Sequence, residues 1–411
     1  MLLNNIFALI YKQELIDMRY LSGGESHGPC LTAIIEGLPA GFEFYSKDIN
    51  HQLQRRQQGY GRGGRMAIEQ DSVKILSGLR FNKTLGSPLT LQIDNRDWEN
   101  WKERMAAEGI RPEEEKALTR PRPGHADLAG GLKYNHDDLR HVLERSSARE
   151  TAIRVAVGSV GRLLMERFNI YFFSHVVRIG SVTAEVNPAE LPALYAEVEK
   201  SPLRCADPEA EIKMIEEIEK ARQKGDTLGG VIEVVVTGVA PGLGSYVHPD
   251  RRLDGRLSGA LMSIQAIKGV EIGAGFAAAA GFGSDIHDPI VKDAKGLTVR
   301  ASNRAGGIEG GVSNGEQLLI RLAMKPIPTL LNPLPSVDWH TGAIAPGATE
   351  RSDVCAVPAA AVVAEAVVAW ELAACFREKF SGDHIDEVDA AFKSYMSGVQ
   401  SRLERGGRDE Q

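Results

Sequence analysis

Two histidines lie in short segments that contain glycine, GGESHG at residues 23–28 and RPGHAD at residues 122–127. Glycine allows the backbone to turn sharply, so these segments can present the imidazole rings of His27 and His125 to a site. Imidazole gains and loses a proton near neutral pH, which suits general acid–base catalysis. A turn that holds a structural histidine is the alternative for each segment, and the adjacent residues Ser26 and His27 do not by themselves form a hydrolase dyad.

Arginines are concentrated in three segments: LQRRQQGYGRGGR at residues 53–65, TRPRPGHAD at residues 119–127 and ERSSARE at residues 144–150. The guanidinium group binds phosphate and carboxylate through two parallel hydrogen bonds. The third segment precedes a predicted helix, whose free N–H groups and dipole also attract anions. These residue types predict a site for a small polyanion in which protons move. A solvated basic loop at 53–65 and ordinary helix capping at 144–150 are the alternatives.

The composition excludes several classes of protein. The formal net charge of −7 means that nothing global attracts the chain to nucleic acid or to a membrane surface. Residues 303–329 carry neither the P-loop nor the Rossmann glycine motif, so neither kind of nucleotide site is expected. The four cysteines lie far apart, which predicts idle thiols in a reducing compartment and no metal site. Glu365 and Glu371 interrupt the apolar run at residues 356–374, so we expect a cytoplasmic protein without a membrane span.

The elements that must position these residues can be located from apolar patterns. Five strands are predicted at Leu31–Ile35, Val73–Leu76, Leu89–Ile93, Val231–Val236 and Leu318–Met324. Three helices are predicted at about 150–168, 358–376 and 208–224. The pair Ser147 and Glu150 predicts a capping box at the start of the first helix.

The chain contains no linker and no shift in composition, so we expect one large domain of helices and strands at residues 18–400. Residues 1–17 are interpreted as an N-terminal extension, and residues 401–411 as a polar tail. An internal repeat is indicated by matching spacings: Gly78, Gly86, Leu89, Leu91 and Ile93 recur as Gly307, Gly315, Leu318, Ile320 and Leu322. A duplicated strand–hairpin–helix unit accounts for this echo, and chance similarity between glycine-rich hairpins is the alternative.

Six segments resemble the signature sequences of the chorismate synthase family and follow the order of that family. They are GESHG (24–28), RPGHAD (122–127), ERSSARETAIRVAVG (144–158), AGGIEGG (305–311), KPIPT (325–329) and RSDVCAVPAAAVVAEA (351–366). Each is weak alone, but the series spans nearly the whole chain from about residue 18 to residue 380.

The resemblance implies a fold, an activity and an assembly. The fold is α+β, a single β–α–β sandwich domain rather than a Rossmann fold. The activity is the 1,4-anti elimination of phosphate from 5-enolpyruvylshikimate 3-phosphate to give chorismate, a small-molecule reaction of the shikimate pathway. It requires reduced FMN without net redox change, and NADPH enters only indirectly as a reductant. The family forms homotetramers.

The resemblance also assigns site residues. His27 and His125 match the two catalytic histidines, Asp353 matches an aspartate that assists proton removal, and Ser26 is a supporting hydrogen bonder. The flavin contacts are Arg145, Ser146, Ser147, Gln265, Ala266, Gly310, Lys325, Pro326, Ile327, Pro328, Thr329 and Arg351. The substrate arginines are Arg56, Arg62, Arg122 and Arg149, of which the first two also match family positions for NADP.

Some assignments stay open at the level of sequence. We assign His125 to the flavin and His27 to the phosphate, and the reverse is the alternative. We expect a separate reductase to reduce the flavin, because no pyridine-nucleotide motif is recognisable. A flavin-dependent oxidoreductase and an RNA-binding module built on residues 53–65 are the competing classes of function.

Overall fold

Two antiparallel β-sheets lie on either side of a layer of helices in the computed structural model, which describes residues 18–62, 70–112, 115–350 and 352–404. The strands are β1 (Arg19–Gly23), β2 (Cys30–Glu36), β3 (Val73–Ser77), β4 (Leu79–Arg80), β5 (Lys83–Thr84), β6 (Leu89–Asp94), β7 (Tyr171–Ile179), β8 (Val182–Thr183), β9 (Gly230–Thr237), β10 (Ile267–Ile272), β11 (Ile290–Lys292), β12 (Thr298–Arg300), β13 (Ile308–Glu309), β14 (Val312–Ser313), β15 (Leu318–Met324), β16 (Pro335–Val337) and β17 (Ile344–Pro346). The helices are α1 (Ser46–Gln57), α2 (Asp127–Tyr134), α3 (Arg140–Ser146), α4 (Thr151–Glu166), α5 (Leu191–Lys200), α6 (Pro208–Lys224), α7 (Leu253–Met262), α8 (Gly283–Ile286), α9 (Val357–Lys379) and α10 (Ile385–Leu403).

Helices α4 and α9 form the middle layer. The first sheet has the order β1-β2-β6-β3, and α4 packs on β2 and β6. The second sheet has the order β10-β15-β9-β7-β8, and α9 packs on β7 and β9. The layers therefore run sheet, helices, sheet, which confirms the expected α+β sandwich.

The two middle helices approach each other closely because one of them carries glycine at the crossing. A Cβ atom added to Gly158 would lie 2.2 Å from the carbonyl oxygen of Ala366, and one added to Gly161 would lie 3.0 Å from that of Ala369. Only glycine lacks this atom, so both positions of α4 allow backbone contact with α9.

Helix α9 is long and apolar enough to cross a membrane by length and composition. Within the protein, however, 94% of its most apolar stretch is buried. The two glutamates inside the run do not break the helix: Glu365 is buried and forms ion pairs with Arg55 and Arg162. The apolar run is therefore the central helix of the core.

The two halves of the chain repeat one order of elements. The series β1, β2, α1, β3, β4–β5, β6 and α4 is matched by β7, β9, α7, β10, β13–β14, β15 and α9. The pairings correspond as well, because β2 and β3 both pair with β6, whereas β9 and β10 both pair with β15. Gly78 and Gly307 start the two hairpins with the same φ of 81°. The structure confirms the repeat that the spacings indicate.

All five predicted strands are confirmed, and so are the three predicted helices, which end within a few residues of the expected positions. The capping box is only half formed. Ser147 Oγ accepts the N–H of Arg149 at 3.3 Å, whereas the Glu150 carboxylate accepts from Arg154 at 2.9 Å and from Gln265 at 3.3 Å. The reciprocal bond of Glu150 was therefore a wrong prediction, because a charged guanidinium one turn away is the stronger donor.

Candidate active site

His27 lies in the turn between β1 and β2 and is fixed by a carboxylate at the end of α3. Its Nδ1 atom lies 2.8 Å from Glu144 Oε1, and its backbone N–H donates to Glu144 Oε2 at 2.8 Å. The side-chain amide of Asn95 donates to the carbonyl oxygens of Ser26 and Gly28 at 2.8 and 3.0 Å. Asn95, at the end of β6, thereby holds the backbone on both sides of His27, and the contact with Glu144 fixes the orientation of the ring.

The partner Glu144 is ionised in this setting. Burial opposes its ionisation, but the hydrogen bond and the charge of His27 outweigh burial and hold the pKa of Glu144 below its usual value. The imidazole of His27 also packs against Trp101 in a tilted arrangement, with ring centroids 3.9 Å apart and an angle of 32° between the planes. An ionised carboxylate accepts from Nδ1–H, so the proton of a neutral ring is assigned to Nδ1.

His125 has a comparable arrangement at the start of α2. Its Nδ1 atom lies 2.5 Å from Asp127 Oδ1, and Arg122 binds both carboxylate oxygens at 2.8 and 3.0 Å. Asp127 is fully buried, which opposes ionisation, but hydrogen bonds from His125 and Arg122 place its pKa far below its usual value. The third guanidinium nitrogen of Arg122, Nη1, donates to Thr329 Oγ1 at 3.1 Å.

The other predicted substrate arginines meet around two aspartates. Arg149 Nη1 lies 2.8 Å from both carboxylate oxygens of Asp71, and Arg56 Nη1 lies 3.6 Å from the same group. Arg62 Nε lies 2.9 Å from Asp353 Oδ2. These arginines come from the end of α1, the loop after it and the turn before α4, so three separate segments converge.

The predicted flavin contacts connect the two histidine segments. Ser26 Oγ donates to Ser147 Oγ at 3.1 Å. Glu150 lies three residues after Ser147, and its carboxylate accepts from the side-chain amide of Gln265 at 3.3 Å. The carbonyl oxygen of Ala266, next to Gln265, accepts the N–H of Lys325 at 2.9 Å. The Lys325 ammonium in turn donates to the carbonyl oxygen of Gly124, which precedes His125. One continuous path of contacts therefore joins His27 to His125.

Comparison with known proteins agrees with this arrangement. The sequence model described as Chorismate synthase matches residues 18–376. The chorismate synthase of Desulforudis audaxviator is 56% identical over 389 residues, which cover 95% of this chain and all of that protein. The chain belongs to the chorismate synthase family.

Further relatives extend this finding. The chorismate synthase of Moorella thermoacetica is 57% identical over 385 residues, covering 93% of this chain and all of the relative. A crystal structure of chorismate synthase shares 44% identity with a TM-score of 0.76, covering 94% of this chain and all of the other. The activity is therefore that of a carbon–oxygen lyase of the shikimate pathway, which eliminates phosphate from 5-enolpyruvylshikimate 3-phosphate to give chorismate.

Two of the flavin contacts that the family pattern selects are not placed near the contact path. Gly310 lies in the β13–β14 turn with φ of 59°, and no hydrogen bond of the described residues joins this turn to either histidine segment. Arg351 lies outside the described residues. The remaining flavin positions form local hydrogen bonds. Arg145 donates to Ser22, Ser146 donates to Val142 of its own helix, and Ile327 accepts from Thr227. Pro326 precedes Ile327, and Pro328 lies beside Gly124.

Several residues of this synthase site escaped the sequence analysis. Glu144 and Asp127 stand inside quoted motifs, yet only the tertiary structure shows that each binds a histidine. Asp71 and Trp101 stand in no motif of the analysis and have no local signal, because their partners lie 78 and 74 residues away. Asp127 had a usable local signal, because it stands two residues after His125, whereas Glu144 had none.

The four cysteines form no disulfide bonds with one another, as their wide spacing in the sequence predicted. Cys30, Cys205, Cys355 and Cys375 are all free, and the last three are buried. Burial raises the pKa of Cys355 and of Cys375 to about 12, so both stay protonated and unreactive at neutral pH. Among the described residues, no three His, Cys, Asp or Glu side chains are grouped as a metal site.

Proposed function

We propose that the residues joined by the contact path hold 5-enolpyruvylshikimate 3-phosphate against reduced FMN during the elimination. The single observation that supports this is the path itself, which brings histidines nearly a hundred residues apart into one connected set with the predicted flavin residues. The substrate carries a phosphate and two carboxylates, and the arginines Arg56, Arg62, Arg122 and Arg149 are the expected partners of these anions.

The residues present fit a flavin. Gln265 Oε1 is buried and has no hydrogen-bond partner among the described residues, although the amide nitrogen of the same group donates to Glu150. A buried acceptor of this kind is costly unless a donor reaches it, and the N–H groups of a reduced isoalloxazine are such donors. We assign cofactor binding to Arg145, Ser146, Ser147, Gln265, Ala266, Gly310, Lys325, Pro326, Ile327, Pro328, Thr329 and Arg351.

Reduced FMN, when bound, would lend electron density transiently, so that phosphate departs without net redox change. The protein's own groups move the protons. Glu144 accepts the hydrogen bond from Nδ1–H of His27. In the imidazolium form of the ring, the opposite nitrogen, Nε2, gives its proton to the departing phosphate, which leaves a neutral ring with its proton on Nδ1. Asp127 holds Nδ1 of His125 in the same way, and this ring serves the flavin side. Asp353, beside Arg62, assists removal of the substrate proton, and Ser26 supports the first histidine through Ser147.

Binding of FMN tests the cofactor assignment. Replacing Gln265 by Leu removes the buried acceptor, and we expect FMN affinity, measured by fluorescence titration, to fall roughly 3- to 10-fold, as for one lost hydrogen bond. Gln400→Leu is the control, because Gln400 lies exposed on α10 and its side-chain amide donates to Glu404 of the same helix end. Equal affinity in Gln265→Leu and wild type contradicts the assignment.

We propose a homotetramer for the assembly. The outer face of the first sheet exposes Leu21 and Ile34, which are direct cross-strand neighbours with 77% and 49% of their surface accessible. Exposed apolar pairs on a sheet are typical of subunit contacts. Light scattering after gel filtration should give four times the chain mass of 44.6 kDa, and Leu21→Lys should lower it. A monomeric wild type contradicts the proposal.

We place the catalytic domain at residues 18–400, with residues 1–17 and 401–411 outside it, supported by the start of the family match at residue 18. The enzyme is assigned to the cytoplasm. NADPH acts only indirectly, as the source of electrons for a separate reductase, because the sequence carries no recognisable pyridine-nucleotide motif. Neither nucleic acid nor membrane is a partner in this proposal.

A further inference from the structure

Trp101 belongs to a short segment that also holds the backbone around His27. The segment starts at Asn95, whose amide binds the carbonyl oxygens on both sides of the histidine. A 3-10 turn, Arg96–Asn100, follows, and the indole N–H of Trp101 donates to Asp97 Oδ2 at 3.0 Å. The same segment thus fixes the main chain at His27 and covers its ring.

Charged groups hold the indole in this position. The guanidinium groups of Arg104 and Arg140 lie 4.8 and 5.1 Å from the ring centroid of Trp101. Arg140 also lies 3.4 Å from Glu144, the carboxylate that binds His27. Cations near an aromatic face are attracted by its quadrupole, so Trp101 is tied to the carboxylate through Arg140. His27, Glu144, Arg140 and Trp101 therefore form a cluster in which each side chain contacts the next and Trp101 contacts His27 again.

A hydrogen bond at Nδ1 alone leaves an imidazole some freedom to tilt, because the last torsion of histidine has a broad energy minimum. The contact with Trp101, at a centroid distance of 3.9 Å and a tilt of 32°, restricts this freedom because the indole blocks one face of the imidazole. A misplacement of about 1 Å at a reacting group can cost roughly 100-fold in rate.

We propose that Trp101 is a positioning residue, which fixes the plane of the His27 ring so that its second nitrogen points at the departing phosphate. The inference rests on the role proposed above for His27 as the proton donor to phosphate. Trp101 itself transfers no proton in this assignment.

Steady-state kinetics provide the first test. We expect Trp101→Ala to lower kcat by roughly 10- to 100-fold while the KM for 5-enolpyruvylshikimate 3-phosphate changes less than about threefold. Trp101→Phe keeps an aromatic face and should recover most of kcat. Trp98→Ala is the matched control, because Trp98 belongs to the same turn and, within the described ranges, has no ring contact with a histidine. A kcat of Trp101→Ala within twofold of wild type overturns the proposal.

Chemical modification tests the same inference without catalysis. The rate at which diethyl pyrocarbonate acylates His27, followed by peptide mass spectrometry, should rise about fivefold or more in Trp101→Ala, because the ring loses its cover. His248, which is exposed and has no ring contact among the described residues, is the internal control and should keep its rate. An unchanged rate at His27 overturns the proposal. If the wild type lacks synthase activity while the modification rates of His27 and His248 are as expected, the proposed function is contradicted and the contact between Trp101 and His27 is not.

Discussion

Each of the two histidines is held at Nδ1 by a buried carboxylate whose pKa is lowered. His27 pairs with Glu144 across 117 residues, whereas His125 pairs with Asp127 two residues away. A carboxylate in this position fixes the tautomer and the direction of the ring, so the opposite nitrogen can carry the proton that moves. The two pairs follow one physical rule although they come from unrelated parts of the chain.

The aspartate of the second pair gives a test at this scale. Asp127→Asn removes the charge that orients His125, and we expect kcat to fall roughly 10- to 1000-fold in an assay of chorismate formation. Asp250→Asn is the matched control, since Asp250 binds His248 at the same two-residue spacing and the same 2.5 Å, but on an exposed loop. Equal kcat in Asp127→Asn and wild type would remove the orienting role.

Only one member of each histidine–carboxylate pair was predicted from the sequence. Both imidazoles could be predicted because glycine-flanked histidines beside arginines form local patterns. Glu144 as partner of His27 could not be predicted, since the contact depends on how α3 is placed against the β1–β2 turn. Asp71 was likewise invisible, because its two arginines meet it only after α1 and the turn before α4 have packed.

At the scale of elements, apolar patterns predicted five strands correctly but missed β1, β7 and β10, together with several helices. Helix α1 was missed because its buried face contains only two apolar side chains, Ile49 and Leu53, beside the buried arginines Arg55 and Arg56. Such a face has no apolar periodicity to detect. Arg55 is buried because Glu199 and Glu365 neutralise it, which no local pattern indicates.

The crossing of α4 and α9 gives the prediction for elements. Gly158→Ala would place a methyl group 2.2 Å from the Ala366 carbonyl oxygen, so we expect the free energy of unfolding to fall by about 1–3 kcal/mol in urea denaturation. Gly259→Ala is the control, because that exposed position of α7 has nothing within 4 Å and should gain up to about 1 kcal/mol. Equal stability of Gly158→Ala and wild type would contradict the close crossing.

At the scale of the whole molecule, the two repeated halves supply different parts of the proposed site. The turn before β2 carries His27, and the segment before α4 carries Ser147, so both belong to the first half. Gln265 and Lys325 flank β10 and β15 in the second half. The contacts between Glu150 and Gln265 and between Lys325 and Gly124 connect these halves. The echo of glycine spacings predicted the repeat, whereas the junction depended on the complete fold.

The central claim is that these connected residues carry the family reaction, with His27 and His125 moving its protons. The most direct measurement is an anaerobic assay with a catalytic amount of dithionite-reduced FMN and 5-enolpyruvylshikimate 3-phosphate, following chorismate absorbance and released phosphate. Wild type and the two variants His27→Ala and His125→Ala are compared under identical conditions.

We predict equal amounts of chorismate and phosphate from the wild type without consumption of reductant, and turnover lower by roughly 10²- to 10⁴-fold in each variant, the usual size of an acid–base contribution. Consumption of one reductant per product would instead indicate a flavin-dependent oxidoreductase. Turnover of both variants at the wild-type rate would contradict the claim that the two histidines carry the chemistry.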